Sequence, residues 1–154
     1  MSGAGISVLL AEDDEGHATL VRRNLRRAGL ESELVHLRDG QELLDYLHQR
    51  APWGGRAAHE SVVMILDLNM PRLGGFEVLE RLKQDADAAR IPVFVLTTTD
   101  NALEIDRCYD LGAAVCLVKP VDYGAFSEMV RRVAELLMTA RLPGELRPKS
   151  RYGR

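Results

Sequence analysis

Five short, mostly apolar runs alternate with helical patterns along this chain, and that alternation constrains its fold more than any other feature. The runs occupy residues 6–11, 33–37, 62–66, 93–96 and 114–118. The clearest of them, residues 62–66, contains no polar side chain and ends at Asp67. Unbroken apolar strands are typical of parallel sheets, because helices cover both faces of such sheets. The runs therefore predict a parallel sheet.

Apolar residues recur at intervals of three and four between these runs, which is the spacing of helices packed on one face. The predicted helices cover residues 15–28, 40–48 and 76–82, a segment capped by Asp100 and a segment capped by Asp122. We expect the buried face of the fourth helix to hold Ala102, Ile105 and Tyr109. The alternation predicts an α/β fold, a doubly wound parallel sheet of (βα)5 type, for which we take the flavodoxin-like strand order 2-1-3-4-5.

The composition is that of one globular domain. We predict a single domain over residues 1–142 and a basic, mobile tail over residues 143–154, which is polar and marked by Pro and Gly. A net charge of -3 argues against nucleic acid as the main partner. No apolar run approaches the ~20 residues of a membrane span. Cys108 and Cys116 lack metal-ligand spacing, which favours reduced thiols and a cytoplasmic location.

Candidate site residues follow four of the five predicted strands. Glu12 and Asp13 follow the first strand, Asp67 the third, Thr97 the fourth and Lys119 the fifth. In a parallel sheet the carboxyl ends of the strands share one edge, and ligands bind there at the point where the strand order reverses. The predicted strand order makes the first and third strands neighbours. We therefore expect three carboxylates in one cleft, facing a lysine.

Three carboxylates in one cleft require a proton or a cation. A like-charge pair at ~4 Å costs on the order of 4 kcal/mol at an effective dielectric constant of 20. Mg²⁺ suits a site built of oxygen ligands, and Lys119 and Thr97 add a compact positive charge and a hydroxyl. Together these groups suit phosphoryl transfer to a carboxylate. Taken singly, Asp13 or Asp14 also suits a helix cap and Lys119 an exposed position.

Four motifs extend this pattern to a known family. AEDDEG, LDLNMPRLGG, LTTTD and LVKP, in that order, resemble the receiver domain of two-component response regulators over residues 6–137. The resemblance implies that Asp67 accepts a phosphoryl group and that Glu12 and Asp13 hold Mg²⁺. It also implies a metal-binding backbone carbonyl at Asn69, a switch hydroxyl at Thr97 and a phosphoryl contact at Lys119.

A narrower resemblance concerns the loop 51–61, the TTT run and the ending LLMTARLPG. These features resemble single-domain regulators that serve bacterial phytochrome kinases. The resemblance implies a stand-alone response regulator phosphorylated by a phytochrome-type sensor histidine kinase. It also implies signalling, and a possible homodimer, through the face of helix 4, strand 5 and helix 5. Such a protein is not an enzyme acting on outside substrates; it transfers and loses only its own phosphoryl group.

Three other functions are open alternatives. A flavin-phosphate binding module needs a glycine- or hydroxyl-rich loop after the first strand, whereas this chain has AEDDEG. An aspartyl-phosphate phosphatase of the haloacid dehalogenase type has an acid where this chain has Asn69. A degenerate receiver acting as a phosphorylation-independent adaptor usually lacks one of the site residues.

Two further expectations concern Cys116 and the four histidines of the chain. Cys116 occupies a strand position where many receivers carry Tyr or Phe, so this chain departs from the resemblance at the aromatic part of the usual switch. His17, His36, His48 and His59 show no ligand spacing, and none is predicted to be catalytic.

Overall fold

The computed structural model describes residues 6–49 and 61–142. Its strands are β1 (Ile6–Ala11), β2 (Glu33–Leu37), β3 (Ser61–Asp67), β4 (Val93–Thr97) and β5 (Val115–Val118). Its helices are α1 (Glu15–Arg27), α2 (Gly40–Gln49), α3 (Gly75–Lys83), α4 (Ala102–Asp110) and α5 (Tyr123–Thr139), with a 3-10 turn at Ala88–Arg90. The predicted loop 51–61, apart from Ser61, and the predicted tail 143–154 lie outside the described residues.

The five strands form one parallel sheet with the order β2-β1-β3-β4-β5, as predicted. Ala11 at the end of β1 lies in register with Leu37 on one side and Leu66 on the other. Thr97 at the end of β4 is likewise paired with Val118 of β5. The carboxyl ends of the strands are therefore level, and the side chains that follow them meet at one edge.

The helices cover both faces of the sheet, which explains why its strands are apolar without interruption. Leu9 and Ala11 of β1 point to the face covered by α2, α3 and α4, whereas Val8 and Leu10 point to the face covered by α1 and α5. Because successive side chains of a strand alternate between the faces, both sets must be apolar. The central strands β1, β3 and β4 are consequently the most buried elements.

Short polar side chains begin the helices that carry or face the site. Asp14 accepts a hydrogen bond from the His17 N–H (2.9 Å) at the start of α1. Asp122 accepts the Ala125 N–H (2.8 Å) at the start of α5, as predicted. These bonds satisfy N–H groups that have no partner inside the helix. Asp14 is thereby the capping acid, and Asp13 is left for the site.

Helix α4 departs from the prediction at its cap and on its buried face. Asn101, not Asp100, caps it, accepting the N–H groups of Leu103 and Glu104 (2.9 and 3.2 Å). Cys108 is its one buried residue, while Tyr109 is 47% exposed. The predicted buried stripe of Ala102, Ile105 and Tyr109 is wrong, because α4 lies near the outer strand of the sheet and turns a single residue into the core.

Candidate functional site

The carboxyl edge of the sheet brings the predicted site residues together. Asp67, Glu12, Thr97 and Lys119 are all buried, with exposures of 5%, 1%, 0% and 9%. Asp13 is exposed at the mouth of the same edge. Burying so many ionisable groups in one place is costly unless they are paired. The alternative of a solvent-exposed Lys119 is thus excluded, and the lysine belongs to the site.

Lys119 lies between the two buried carboxylates. Its Nζ donates to Glu12 Oε1 (3.1 Å) and lies 3.6 Å from Asp67 Oδ1. Its backbone N–H donates to the Thr97 carbonyl (2.7 Å), which ties the end of β5 to the end of β4. One ammonium therefore serves two carboxylates, and the exposed Asp13 adds a third negative group nearby. The cluster carries more negative than positive charge.

The excess of negative charge in the cluster affects the pKa of Asp67. Burial, with the Glu12 carboxylate as a second cause, raises the pKa of Asp67 from 3.8 to about 7. Lys119 and the Asn69 N–H, which donates to Asp67 Oδ1 (3.2 Å), act in the opposite direction without prevailing. A carboxyl group in this state gains from any added positive charge. The site is therefore electrostatically prepared for a cation.

The acidic residues have the geometry of a divalent metal site. Glu12, Asp13 and Asp67 each offer a carboxylate oxygen, and these oxygens lie within 4.8 Å of one another. Carboxylate oxygens are the ligands of hard cations such as Mg²⁺, and the exposed side of Asp13 leaves room for water or phosphate oxygens. The residues present thus fit an oxygen-coordinated divalent cation. The Asn69 backbone is held beside Asp67, while a metal contact from its carbonyl stays a prediction.

Thr97 reaches the site edge with its hydroxyl engaged by the following loop. Its Oγ1 accepts the Thr99 N–H (3.1 Å), and the Thr99 hydroxyl in turn accepts the Asn101 N–H (3.1 Å). Asn101 is the cap of α4. The two bonds form a short chain of contacts from the end of β4 to the start of α4.

Two histidines that are not predicted to be catalytic contact Glu12. His17 Nδ1 lies 3.9 Å from Glu12 Oε2 and 3.5 Å from Lys119 Nζ, and its ring packs on Phe126. His36 Nε2 lies 2.7 Å from the Glu12 carbonyl oxygen. Neither histidine shows a spacing motif. Their positions in the sequence could have indicated these contacts, since His17 falls in the first turn after the acidic pair and His36 falls near the end of β2.

An aromatic side chain reaches the strand position of Cys116 from α4. The Tyr109 hydroxyl accepts the Cys116 N–H (3.0 Å) at the outer edge of β5. The thiols of Cys116 and Cys108 are also in contact, and burial raises the pKa of Cys108 to about 12. Cys108 is consequently protonated at neutral pH. Position 116 of β5 is not aromatic, and Tyr109 of the neighbouring helix α4 places its hydroxyl against that position.

Comparison with known proteins agrees with the fold. The model of the family described as response regulator receiver domain matches residues 8–131. The chain belongs to this family. Receiver-domain response regulators are signalling proteins of two-component systems, so the resemblance of the four strand-end motifs is confirmed. In the described ranges, no helix of this receiver has the length and apolar character needed to cross a membrane.

Two curated relatives span most of the receiver. The probable methanogenesis regulatory protein FilR2 of Methanothrix harundinacea is 36% identical over 129 residues, which cover 84% of this chain and 79% of FilR2. Response regulator Rcp1 of Synechocystis sp. is 34% identical over 137 residues, which cover 88% of this chain and 92% of Rcp1.

Three solved structures share the fold. A receiver domain from Rhodospirillum rubrum has a TM-score of 0.83 and 38% identity, covering 90% of this chain and 98% of the other. The phosphorylated cyanobacterial phytochrome response regulator RcpA has a TM-score of 0.80 and 33% identity, covering 89% and 97%. The Mn²⁺-bound form of Rcp1 has a TM-score of 0.79 and 32% identity, covering 89% and 98%. Phytochrome-associated response regulators are thus among its homologues.

Proposed function

We propose that this receiver is a response regulator in which Asp67 accepts a phosphoryl group from a phosphohistidine of a sensor histidine kinase. The observation that carries the proposal is the position of Asp67, a buried carboxylate grouped with the Glu12 and Asp13 carboxylates and 3.6 Å from Lys119 Nζ. Capping does not explain such a group, and an apolar core does not favour it. The phosphorylated form of RcpA supports the proposal as a property of a homologue.

The transfer follows from the groups around Asp67. An oxygen of the ionised Asp67 attacks the phosphorus, the phosphorus–nitrogen bond of the donor breaks, and the donor imidazole keeps the bonding electron pair. Lys119 stabilises the negative charge of the transferred oxygens. A bound Mg²⁺ would be held by Glu12, Asp13, Asp67 and the Asn69 carbonyl, and it supplies charge neutralisation for the carboxylates and the phosphoryl oxygens. Water later hydrolyses the acyl phosphate.

The signal leaves the site through the contacts of Thr97. In our proposal the Thr97 hydroxyl moves to donate its proton to a phosphoryl oxygen, and this movement takes its oxygen away from the Thr99 N–H. That exchange breaks the chain of contacts to the cap of α4 and shifts the face formed by α4, β5 and α5. This face exposes Leu103, Val118, Val121 and Tyr123, which suits a protein contact.

The proposed partners are inferred from this face and from the homologue RcpA. RcpA supports a phytochrome-type histidine kinase as the donor, and the exposed apolar residues support a homodimer through α4, β5 and α5. The division into a domain over residues 1–142 and a tail over residues 143–154, the absence of a nucleic-acid partner and the cytoplasmic location stay predictions. Asn69, in place of an acid, disfavours a phosphatase, and the complete residue set disfavours a degenerate adaptor.

The proposal is tested by labelling the full chain with phosphoramidate and Mg²⁺ and measuring the acyl phosphate by mass and phosphate-affinity electrophoresis. We expect labelling of the wild type and none of Asp67→Asn. Asp100→Asn, at an exposed loop position, is the matched control and should label normally. Labelling of Asp67→Asn at the wild-type rate would contradict the proposal, and labelling unchanged by EDTA would contradict its metal requirement.

A further inference from the structure

The loop between β3 and α3, residues 68–74, is fixed at both ends by close backbone contacts. At its base the Gly75 N–H donates to the Leu68 carbonyl (2.9 Å), and a Cβ at Gly75 would lie 2.7 Å from Leu68 Cα. At its far end the Gly40 N–H donates to the Leu73 carbonyl (3.1 Å), and a Cβ at Gly40 would lie 2.2 Å from that oxygen. Only glycine fits at either contact, so the loop is closed against β3 and against the start of α2.

Arg72, near the far end of the loop, has an unusual backbone conformation. Its φ angle is 67°, and among the described residues it is the one non-glycine residue with a positive φ. Side chains with a Cβ seldom adopt this region, and such strain persists where surrounding contacts impose it. The contact here is with Asp39, whose Oδ2 accepts from the Arg72 Nε (2.8 Å) and from a terminal guanidinium nitrogen (2.5 Å).

Asp39 is a buried carboxylate with a separate partner for each oxygen. It is 6% exposed and lies between β2 and α2. Its Oδ1 accepts the Glu42 N–H (2.8 Å) and so caps α2, while its Oδ2 serves Arg72. Burial works against ionisation of Asp39, but the Glu42 N–H and the Arg72 guanidinium outweigh it and hold its pKa below its usual value. Arg72 and the Glu42 N–H together keep the buried Asp39 charged.

We propose that Asp39 and Arg72 are positioning residues for the phosphoryl site. This inference rests on the proposed function. Asn69 lies between the closed base of the loop and its clamped end, and its N–H donates to Asp67 Oδ1 (3.2 Å). With both ends held, the Asn69 backbone has less freedom to move away from Asp67. The ion pair of Asp39 and Arg72 joins the β2–α2 connection to the β3–α3 loop. It thereby keeps the Asn69 N–H on the Asp67 carboxylate and keeps the Asn69 carbonyl available to a cation.

Four variants of the full chain separate this role from ordinary stabilisation. Asp39→Asn keeps an oxygen for the Glu42 N–H but presents an amide to Arg72 in place of an acceptor. Arg72→Gln removes the guanidinium from a side chain that is 66% exposed, and Arg72→Lys keeps its charge. Arg131→Gln is the matched control, because Arg131 pairs with two acids on α5 and not with the loop.

Three measurements are made on each variant. They are the Mn²⁺ dissociation constant from electron paramagnetic resonance, the Tm in EDTA, and the rate of phosphoramidate labelling as a function of Mg²⁺ concentration. We expect about tenfold weaker Mn²⁺ binding for Asp39→Asn and for Arg72→Gln, the size typical of groups that support metal ligands. Arg72→Lys should retain part of the affinity, and a fifth protein, the double variant Asp39→Asn/Arg72→Gln, should lose no more than either single one. Saturating Mg²⁺ should restore the labelling rate.

The outcomes distinguish the inference from its basis. A lowered Tm with unchanged Mn²⁺ affinity and unchanged Mg²⁺ dependence would reduce the ion pair to a structural contact and overturn the inference. The same loss of affinity in Arg131→Gln would also overturn it. If Asp39→Asn does not fold, the exposed Arg72→Gln carries the test. If the wild type itself is not labelled, the proposed function fails while the Mn²⁺ measurement still decides the positioning role.

Discussion

Replacing Asp67 by Asn should stabilise the metal-free protein at neutral pH, because the ionised carboxylate is unfavourable where it lies. Asp67 is 5% exposed and shares one lysine with Glu12, whose side chain is 1% exposed. Asn has nearly the same shape and cannot ionise. The substitution therefore removes the charge and keeps the volume.

The magnitude follows from the pKa of Asp67. Burial and the Glu12 carboxylate raise it from 3.8, the value of an unpaired aspartate, to about 7 in the folded protein. Between these pH values the unfolded chain binds fewer protons at this residue than the folded one, so the free energy of unfolding decreases as pH rises. At about 1.4 kcal/mol for each pH unit, the loss reaches about 4 kcal/mol above pH 7 and vanishes below about pH 4.

Urea denaturation of wild type and Asp67→Asn in EDTA, at intervals from pH 4.5 to 8, measures this difference. We expect the advantage of Asp67→Asn to grow with pH and to level off above about pH 7, where it corresponds to about 10 °C in Tm. Saturating Mg²⁺ should stabilise the wild type more than the variant. A difference that stays constant across this pH range would refute the reasoning, since it would show that Asp67 ionises normally in the folded chain.

Four further substitutions test three particular contacts. Lys119→Met leaves two buried carboxylates without their counter-charge, and we expect a loss of about 3–5 kcal/mol in urea denaturation at pH 7 in EDTA; an unchanged midpoint would contradict the pairing. Asn101→Ala should cost about 1 kcal/mol and Asp100→Ala much less, because Asn101 is the cap; equal losses would argue against this assignment. Tyr109→Phe should cost about 1 kcal/mol and speed hydrogen exchange at the Cys116 amide, measured by NMR; unaltered exchange would show that the hydroxyl does not protect it.

The strands and the edge of the site were readable from local sequence. An unbroken apolar run such as residues 62–66 indicates a strand buried on both faces, because both of its alternating sets of side chains are apolar. The alternation with helices then specified a parallel sheet, and the rule for such sheets placed Asp67 and Lys119 on one edge. The four motifs identified the family on the same residues.

Other features were decided by packing between distant segments. Lys119 and Glu12 are separated by 107 positions, yet their side chains form a buried ion pair at 3.1 Å. The face that α4 turns inward depends on its place over β5, so a stripe read from spacing alone selected the wrong residues. The contact of Arg72 with Asp39 joins two loops through a positive φ angle that no sequence pattern encodes. Sequence periodicity indicates the type of an element, whereas the face that it buries and its distances to other elements arise only when the sheet order and the helix positions bring them together.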